Sequence, residues 1–239
     1  MTDGTGGTGG TGGTGSASAS EPTGFLYPFI EAEERNLDAL MTDLVASARA
    51  KVEDSASLRR ATLSRCAEQV EDAASAMADR FRRGGRLFTF GNGGSATDAQ
   101  GTAELFGLPP YGQALPALSL VDDQAVLTAL SNDVGFELVF SRQMIALAKA
   151  NDIALGFSTS GDSPNMLRAF DEAARRGLLT VGLCGYEGSG MAVSDAVRHC
   201  LVVRSDSVHR IQETQDALMF AVWEAVQRHL NETAVVRPA

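Results

Sequence analysis

The feature that most constrains the fold is an apolar strand that runs directly into a glycine-rich turn and then into a helix, at residues 88–100. The turn reads Gly-Asn-Gly-Gly at residues 91–94, and the small hydroxyl residue Ser95 stands where the helix begins. Glycines allow backbone N–H groups to approach a ligand closely, and a helix N-terminus adds partial positive charge. The segment therefore predicts a binding site for an anion, most often a phosphate.

A second loop with the same placement follows the apolar strand at residues 152–157. Four hydroxyl side chains crowd this loop just before a new helix, namely Ser158, Thr159, Ser160 and Ser163. Ser163 is also a good helix N-cap, because Pro164 suits the first helical position. Capping requires one hydroxyl rather than four. Two such loops predict a phosphorylated small molecule at the carboxyl ends of parallel strands.

From residue 86 onward, apolar strands alternate with helical patterns, which indicates an α/β fold with a doubly wound parallel sheet flanked by helices. Five strands are predicted near residues 86–90, 116–121, 152–157, 178–183 and 200–203. Helices are predicted near residues 95–106, 124–131, 136–149, 164–176, 190–196 and 208–230.

The segments outside this α/β domain (residues 85–232) are of three kinds. Residues 1–24 form a Gly/Thr/Ser-rich tail, which we predict to be disordered because it has little to bury. Residues 25–84 carry two helical patterns, at about 28–51 and 56–83, and residues 233–239 form a short C-terminal tail. The spare apolar face of the N-terminal helices predicts an oligomer interface. A helix that covers its own sheet is an alternative.

The charge of the chain limits its partners. The 239 residues include 20 Lys and Arg against 30 Asp and Glu, a net charge of −10. This balance argues against general affinity for nucleic acid or for an anionic membrane. No apolar run approaches the ~20 residues that span a bilayer, and we expect no export signal. Three cysteines without short spacing read as free thiols, so we expect a cytoplasmic protein.

A dinucleotide site is an alternative for the glycine turn. Gly91 and Gly93 with Ala96 match the weak GxGxxA form of that motif. Asp122 and Asp123 lie slightly too far along the chain for the acidic residue that such a site requires. The hydroxyl-rich loop has no counterpart in a dinucleotide fold, so a phosphorylated sugar is the favoured ligand.

Four motifs in order resemble the SIS (sugar isomerase) domain family. They are Gly-Asn-Gly-Gly-Ser-Ala at 91–96, Val-Leu-Thr-Ala with Asn-Asp at 126–133, Ser-Thr-Ser-Gly-Asp-Ser-Pro-Asn at 158–165 and Arg-Ile-Gln-Glu at 210–213. Within the family the chain is most similar to the phosphoheptose isomerases, which interconvert sedoheptulose 7-phosphate and a heptose 7-phosphate. The resemblance implies a five-stranded parallel sheet and a homotetramer held partly by N-terminal helices.

The resemblance also implies a set of ligand-binding residues. The phosphate would be held by the four hydroxyl residues Ser158, Thr159, Ser160 and Ser163. The substrate would be contacted by Asn92, Gly93, Ser95, Asp123 and Gln212.

The catalytic pattern of the phosphoheptose isomerases is incomplete in this chain. Those enzymes carry His-x-x-x-Glu on the helix after the glycine turn, and Gln followed eight residues later by His on the last helix. These side chains are the acid, the base and, in some members, zinc ligands. Here Gly101 and Leu105 stand in the first pair, and Phe220 follows Gln212. We therefore expect neither the family zinc site nor another cofactor.

Two substitutes for the missing acid and base are candidates. Glu104 lies one residue before the glutamate position, which turns it by ~100° on a helix. His209, Gln212 and Asp216 fall within ~60° of one another on the last helix, so His209 is the second candidate. His209 could equally cap and solubilise that helix.

Two functions remain open. One is a sugar-phosphate isomerase with a changed acid–base set. The other is a catalytically silent phosphosugar-binding sensor or scaffold with an unidentified protein partner.

Overall fold

The structure is a computed structural model that describes residues 37–234. The predicted tail at 1–24, the start of the predicted helical segment at 25–36 and residues 235–239 lie outside the described residues. The chain divides into two compact units, residues 1–49 and residues 50–239. Only the beginning of one helix is described in the first unit. The second unit contains the sheet and both predicted binding loops.

Five parallel strands form one sheet, as predicted. They are β1 (Leu87–Gly91), β2 (Ala117–Ser119), β3 (Ile153–Ser158), β4 (Leu179–Gly185) and β5 (His199–Val203). Their order across the sheet is β2-β1-β3-β4-β5. Every residue of β1, β3 and β4 is buried, because helices cover both faces of a sheet of this kind.

Eight α-helices surround or precede the sheet in the described part of the chain. They are α1 (Leu37–Arg65), α2 (Ala67–Arg82), α3 (Gly94–Gly107), α4 (Gln124–Asp133), α5 (Val139–Leu147), α6 (Pro164–Arg175), α7 (Ser189–Val193) and α8 (Val208–Ala234), with a 3-10 turn at Phe136–Leu138 before α5. Apolar side chains of α2, α3 and α8 pack on one face of the sheet, and those of α5, α6 and α7 pack on the other. The predicted doubly wound architecture is confirmed.

The order of the strands brings the two predicted binding loops together. The chain adds β2 on one side of β1 and β3 on the other, so β1 and β3 flank the point where the winding reverses. Gly91 at the end of β1 is in register with Phe157 near the end of β3. The glycine turn and the hydroxyl loop therefore leave the sheet side by side. Ligands of open α/β sheets bind in this crevice.

The predicted break between the N-terminal helices at residues 51–56 is wrong. Helix α1 continues through this stretch to Arg65, and the interruption falls at Cys66. No glycine or proline occurs between residues 51 and 66, so a change in apolar spacing is not enough to end the helix. At the interruption the Cys66 N–H still donates to the Thr62 carbonyl at 2.9 Å.

The surface of α1 is apolar near its start. Met41, Leu44 and Val45 each leave about half of their surface exposed, at 53%, 50% and 46%. Covering such side chains by a second copy of the chain stays a prediction. No helix between residues 37 and 234 has the length and apolar character needed to cross a bilayer.

Candidate functional site

The glycine turn is built so that only glycine fits at its critical positions. A Cβ on Gly91 would lie 2.3 Å from the Ser95 carbonyl oxygen. Gly93 has a φ of +57°, a conformation that favours glycine. The turn closes with a hydrogen bond from the Ser95 N–H to the Asn92 carbonyl at 3.0 Å. Gly93 and Gly94 are exposed, so the first turn of α3 is accessible to a ligand.

The hydroxyl loop after β3 is held in shape by its own serines. The buried Ser158 Oγ accepts a hydrogen bond from the Gly161 N–H at 3.0 Å, and the exposed Ser160 Oγ accepts one from the Asp162 N–H at 3.3 Å. Ser163 occupies the N-cap position of α6, but its side chain makes no capping hydrogen bond. The Ser163 hydroxyl therefore does not cap α6.

A pair of asparagines joins the two loops. The Asn92 Nδ2 donates to the Asn165 Oδ1 at 2.8 Å, and the Asn165 Nδ2 donates back to the Asn92 Oδ1 at 2.8 Å. Asn92 lies in the glycine turn, and Asn165 is the second residue of α6, directly after the hydroxyl loop. The two loops therefore form one continuous rim at the carboxyl edge of the sheet.

A cavity of about 400 Å³ opens beside the glycine turn. Its walls include Asn92 and Gly93 from the turn, Gln124 and Thr128 from α4, and the aromatic side chain of Phe136. This volume lies within the range of small-molecule sites, and its walls combine apolar side chains with a few polar groups, as is typical of such sites.

On the other side of the turn, Gln212 of α8 lies directly against the backbone. A Cβ on Gly94 would come within 2.4 Å of the Gln212 Nε2. The same Nε2 donates to the Asp98 Oδ2 at 3.1 Å. The pKa of Asp98 is raised to about 6, because burial and, to a smaller extent, the nearby Asp216 carboxylate raise it more than the hydrogen bond from Gln212 lowers it. The sequence does not single out Asp98, although four residues after Gly94 it lies on the same helix face.

Asp98 lines an open cavity of about 430 Å³ between α3 and α8. Its walls consist of Thr97, Asp98, Gly101, Thr102, Leu105, Asp216, Met219 and Phe220. The three positions at which this chain departs from the catalytic pattern, residues 101, 105 and 220, thus face one space. Two carboxylates, Asp98 and Asp216, are the ionisable groups of this wall.

The residues of this cavity do not fit a zinc ion. Zinc takes thiolate, imidazole and carboxylate ligands in tetrahedral geometry. Gly101, Leu105 and Phe220 offer none of these, and the amide of Gln212 is bonded to Asp98. Asp98 and Asp216 supply only two carboxylates, fewer than a zinc site needs. Within residues 37–234, no group of three or more His, Cys, Asp or Glu side chains is placed to hold a metal.

The remaining predicted residues lie apart from this cavity. Glu104 lines a separate cavity of about 520 Å³ together with Gln100 and Asp122. His209 is exposed in the first turn of α8. Asp123 caps α4, because its Oδ1 accepts the Val126 N–H at 3.0 Å.

Comparison with known proteins agrees with the resemblance. Residues 52–185 match the model of the SIS domain. A phosphoheptose isomerase from Roseiflexus sp. is 40% identical over 184 residues, which cover 76% of this chain and 92% of that protein.

Solved structures of two phosphoheptose isomerases have the same fold. The protein from Neisseria gonorrhoeae is 32% identical with a TM-score of 0.72, covering 77% of this chain and 99% of that one. The protein from Francisella tularensis is 28% identical with a TM-score of 0.72, covering 77% and 98%. The chain therefore belongs to the SIS domain family and, within it, to the family of the phosphoheptose isomerases.

Proposed function

We propose that this protein binds a phosphorylated sugar and interconverts its aldose and ketose forms, with sedoheptulose 7-phosphate as the substrate to test first. The observation that supports this most directly is the link between Asn92 and Asn165. It holds an amide-rich turn and a hydroxyl-rich loop side by side at the winding reversal, where a ligand with an anionic end and a polar end would fit.

The hydroxyl loop is the proposed phosphate site. Ser160 is exposed and the Ser163 hydroxyl is not used for capping, so both can donate to phosphate oxygens. Thr159 and Ser158 would complete the set, although Ser158 is buried and also supports the loop. Hydroxyl donors suit a dianion in a chain with a net charge of −10, because they need no clustered positive charge.

The sugar would extend from this loop across the glycine turn. Gly93 and Ser95 would contact it through the first turn of α3, and Gln212 would reach it from the other side of the turn. Asn92 would contact the sugar beside them. Asp123 would accept hydrogen bonds from sugar hydroxyls at the carboxylate oxygen that does not cap α4.

We propose Asp98 as the proton-transfer group of the reaction. Aldose–ketose isomerisation breaks a C–H bond beside the carbonyl, re-forms a C–H bond on the neighbouring carbon, and moves a proton between the two oxygens. A base with a pKa close to the working pH is best suited to this, and the pKa of Asp98 is raised to about 6, chiefly by burial. Asp98 and Gln212 share one hydrogen bond beside the turn. Glu104 and His209 stay sequence-based candidates for the same role.

The turnover assay uses a matched pair of variants on α3. Purified protein is incubated with sedoheptulose 7-phosphate, with and without a metal chelator, and aldose formation is followed. We expect chelator-insensitive turnover that Asp98→Asn lowers by roughly 100-fold or more and that Glu104→Gln leaves nearly unchanged. Loss of turnover in Glu104→Gln with retention in Asp98→Asn would move the base to Glu104. A wild-type protein that binds the sugar without converting it would be the silent phosphosugar-binding protein instead.

Binding is measured separately by thermal shift. A ligand at 100 times its dissociation constant adds about 2.7 kcal/mol of stability. Ser160→Ala should reduce this shift for phosphorylated sugars, whereas Ser57→Ala on the exposed surface of α1 should not. Equal shifts in the two variants would remove Ser160 from the phosphate site.

Two broader properties are proposed as well, the oligomeric state and the location in the cell. The exposed apolar side chains at the start of α1 support a homotetramer held partly by N-terminal helices. A cytoplasmic location fits a chain whose ligand would be a sugar phosphate. Sedimentation of the purified protein tests the first of these.

A further inference from the structure

The asparagine pair that joins the two loops is a closed ring of two hydrogen bonds. Each amide donates one N–H and accepts at its carbonyl oxygen, and both bonds measure 2.8 Å. The two residues are 73 positions apart in the chain. Asn165 is nearly inaccessible, with 2% of its surface exposed. Buried amides are costly without partners, and here each is the partner of the other.

This ring connects one predicted binding loop to the other. The backbone carbonyl oxygen of Asn92 also accepts a hydrogen bond from the Ser95 N–H at 3.0 Å. The side chain and the backbone of Asn92 therefore both fix the shape of the glycine turn. Asn165 belongs to α6, whose first turn follows the hydroxyl loop. A displacement of the hydroxyl loop would therefore be transmitted to the glycine turn through these two amides.

We propose that Asn165 is a positioning residue that sets the distance between the hydroxyl loop and the glycine turn by holding Asn92. This inference rests on the proposed binding of a phosphorylated sugar. The pair also changes the role of Asn92, which acts mainly through the shape of the turn because its side-chain amide is bound to Asn165. A ligand that spans both loops requires the pair, whereas a ligand that fills only the hydroxyl loop does not.

The test is a double-mutant cycle read with two ligands. Dissociation constants for sedoheptulose 7-phosphate and for inorganic phosphate are measured by calorimetry on the wild type, Asn92→Ala, Asn165→Ala and the double variant. Loss of the hydrogen-bond pair should weaken sugar-phosphate binding by roughly 10-fold in each single variant. Because both variants break the same ring, the double variant should be no weaker than the singles. Inorganic phosphate should bind all four proteins alike.

A control and a second variant complete the experiment. Asn151→Ala changes an exposed asparagine just before β3, at the opposite edge of the sheet, and should leave both affinities unchanged. If Asn165→Ala does not fold, Asn165→Ser keeps a polar group that is too short to reach Asn92, and the same results are expected of it.

The outcomes separate the inference from the proposed function. A wild-type protein that does not bind sedoheptulose 7-phosphate overturns the proposed function, and the inference falls with it. Wild-type binding with unchanged affinity in Asn165→Ala overturns the inference alone. Additive losses would also overturn it, because Asn92 would then contact the sugar independently. Equal losses for inorganic phosphate would show damage to the hydroxyl loop rather than to the spacing.

Discussion

Two glycines of α3 provide a matched test of the contact between the glycine turn and Gln212. A Cβ on Gly94 would lie 2.4 Å from the Gln212 Nε2, whereas a Cβ on Gly101 would meet nothing within 4 Å. Neither glycine has a positive φ, so alanine is compatible with the backbone at both. Gly94→Ala must displace the end of Gln212, and we expect this shift to break the hydrogen bond from Gln212 to Asp98. Gly101→Ala places a methyl group in open space.

The two changes should have opposite effects on the free energy of unfolding. Replacing a glycine in a helix by alanine stabilises it by about 0.5–1 kcal/mol, which is the expected gain for Gly101→Ala. Gly94→Ala gains at most the same amount in the first turn. It also loses a hydrogen bond to a carboxylate, worth about 1.5 kcal/mol at a half-buried site. A net loss of about 0.5–1 kcal/mol remains.

Thermal unfolding at one protein concentration measures this difference. About 1 kcal/mol corresponds to a shift of roughly 2–4 °C for a protein of this size, so we expect Gly101→Ala to melt above the wild type and Gly94→Ala below it. Gly94→Ala should also raise the pKa of Asp98 above about 6, because the hydrogen bond from Gln212 lowers it. Equal stabilisation by both alanines, with the pKa of Asp98 unchanged, would refute the geometry of this contact.

Two further predictions concern the cavity between α3 and α8. If Asp98 is the base, the rate at low substrate concentration should rise as the pH increases through about 6. Because the Asp216 carboxylate raises the pKa of Asp98, Asp216→Asn should move this rise in rate to lower pH. The substrate phosphate titrates equally in both proteins, so an unchanged profile would count against Asp98. The triple variant Gly101→His, Leu105→Glu, Phe220→His restores the family side chains in this cavity. Because all three positions line one wall, this variant should bind zinc, which metal analysis of the purified protein would detect. A triple variant that folds but stays free of zinc would show that these positions do not converge.

The strands and both binding loops could be predicted from the sequence because their signals are local. The apolar run of β4 reflects burial on both faces, and the glycine turn and hydroxyl loop each follow a strand within a few residues. The order of the strands depends on contacts distant in sequence, so the adjacency of β1 and β3 could be observed only in the structure.

The cavity between α3 and α8 could be predicted from the sequence only in part. The ~100° step of a helix already turns Glu104 away from the position that Leu105 occupies, and the structure places these two side chains in different cavities. The role of Asp98 could not be predicted from the sequence, because its hydrogen-bond partner Gln212 lies on α8, more than a hundred residues later. The pairing of Asn92 with Asn165 is also long-range, because it joins residues 73 positions apart.

The most direct test of the central claim is a crystal structure of the protein with sedoheptulose 7-phosphate. We expect the phosphate to accept hydrogen bonds from the hydroxyls of Ser160 and Ser163, with the sugar chain passing over Gly93 toward Gln212. A phosphate bound away from the hydroxyl loop, or a sugar that leaves the glycine turn untouched, would contradict the claim that the loops after β1 and β3 form one binding site.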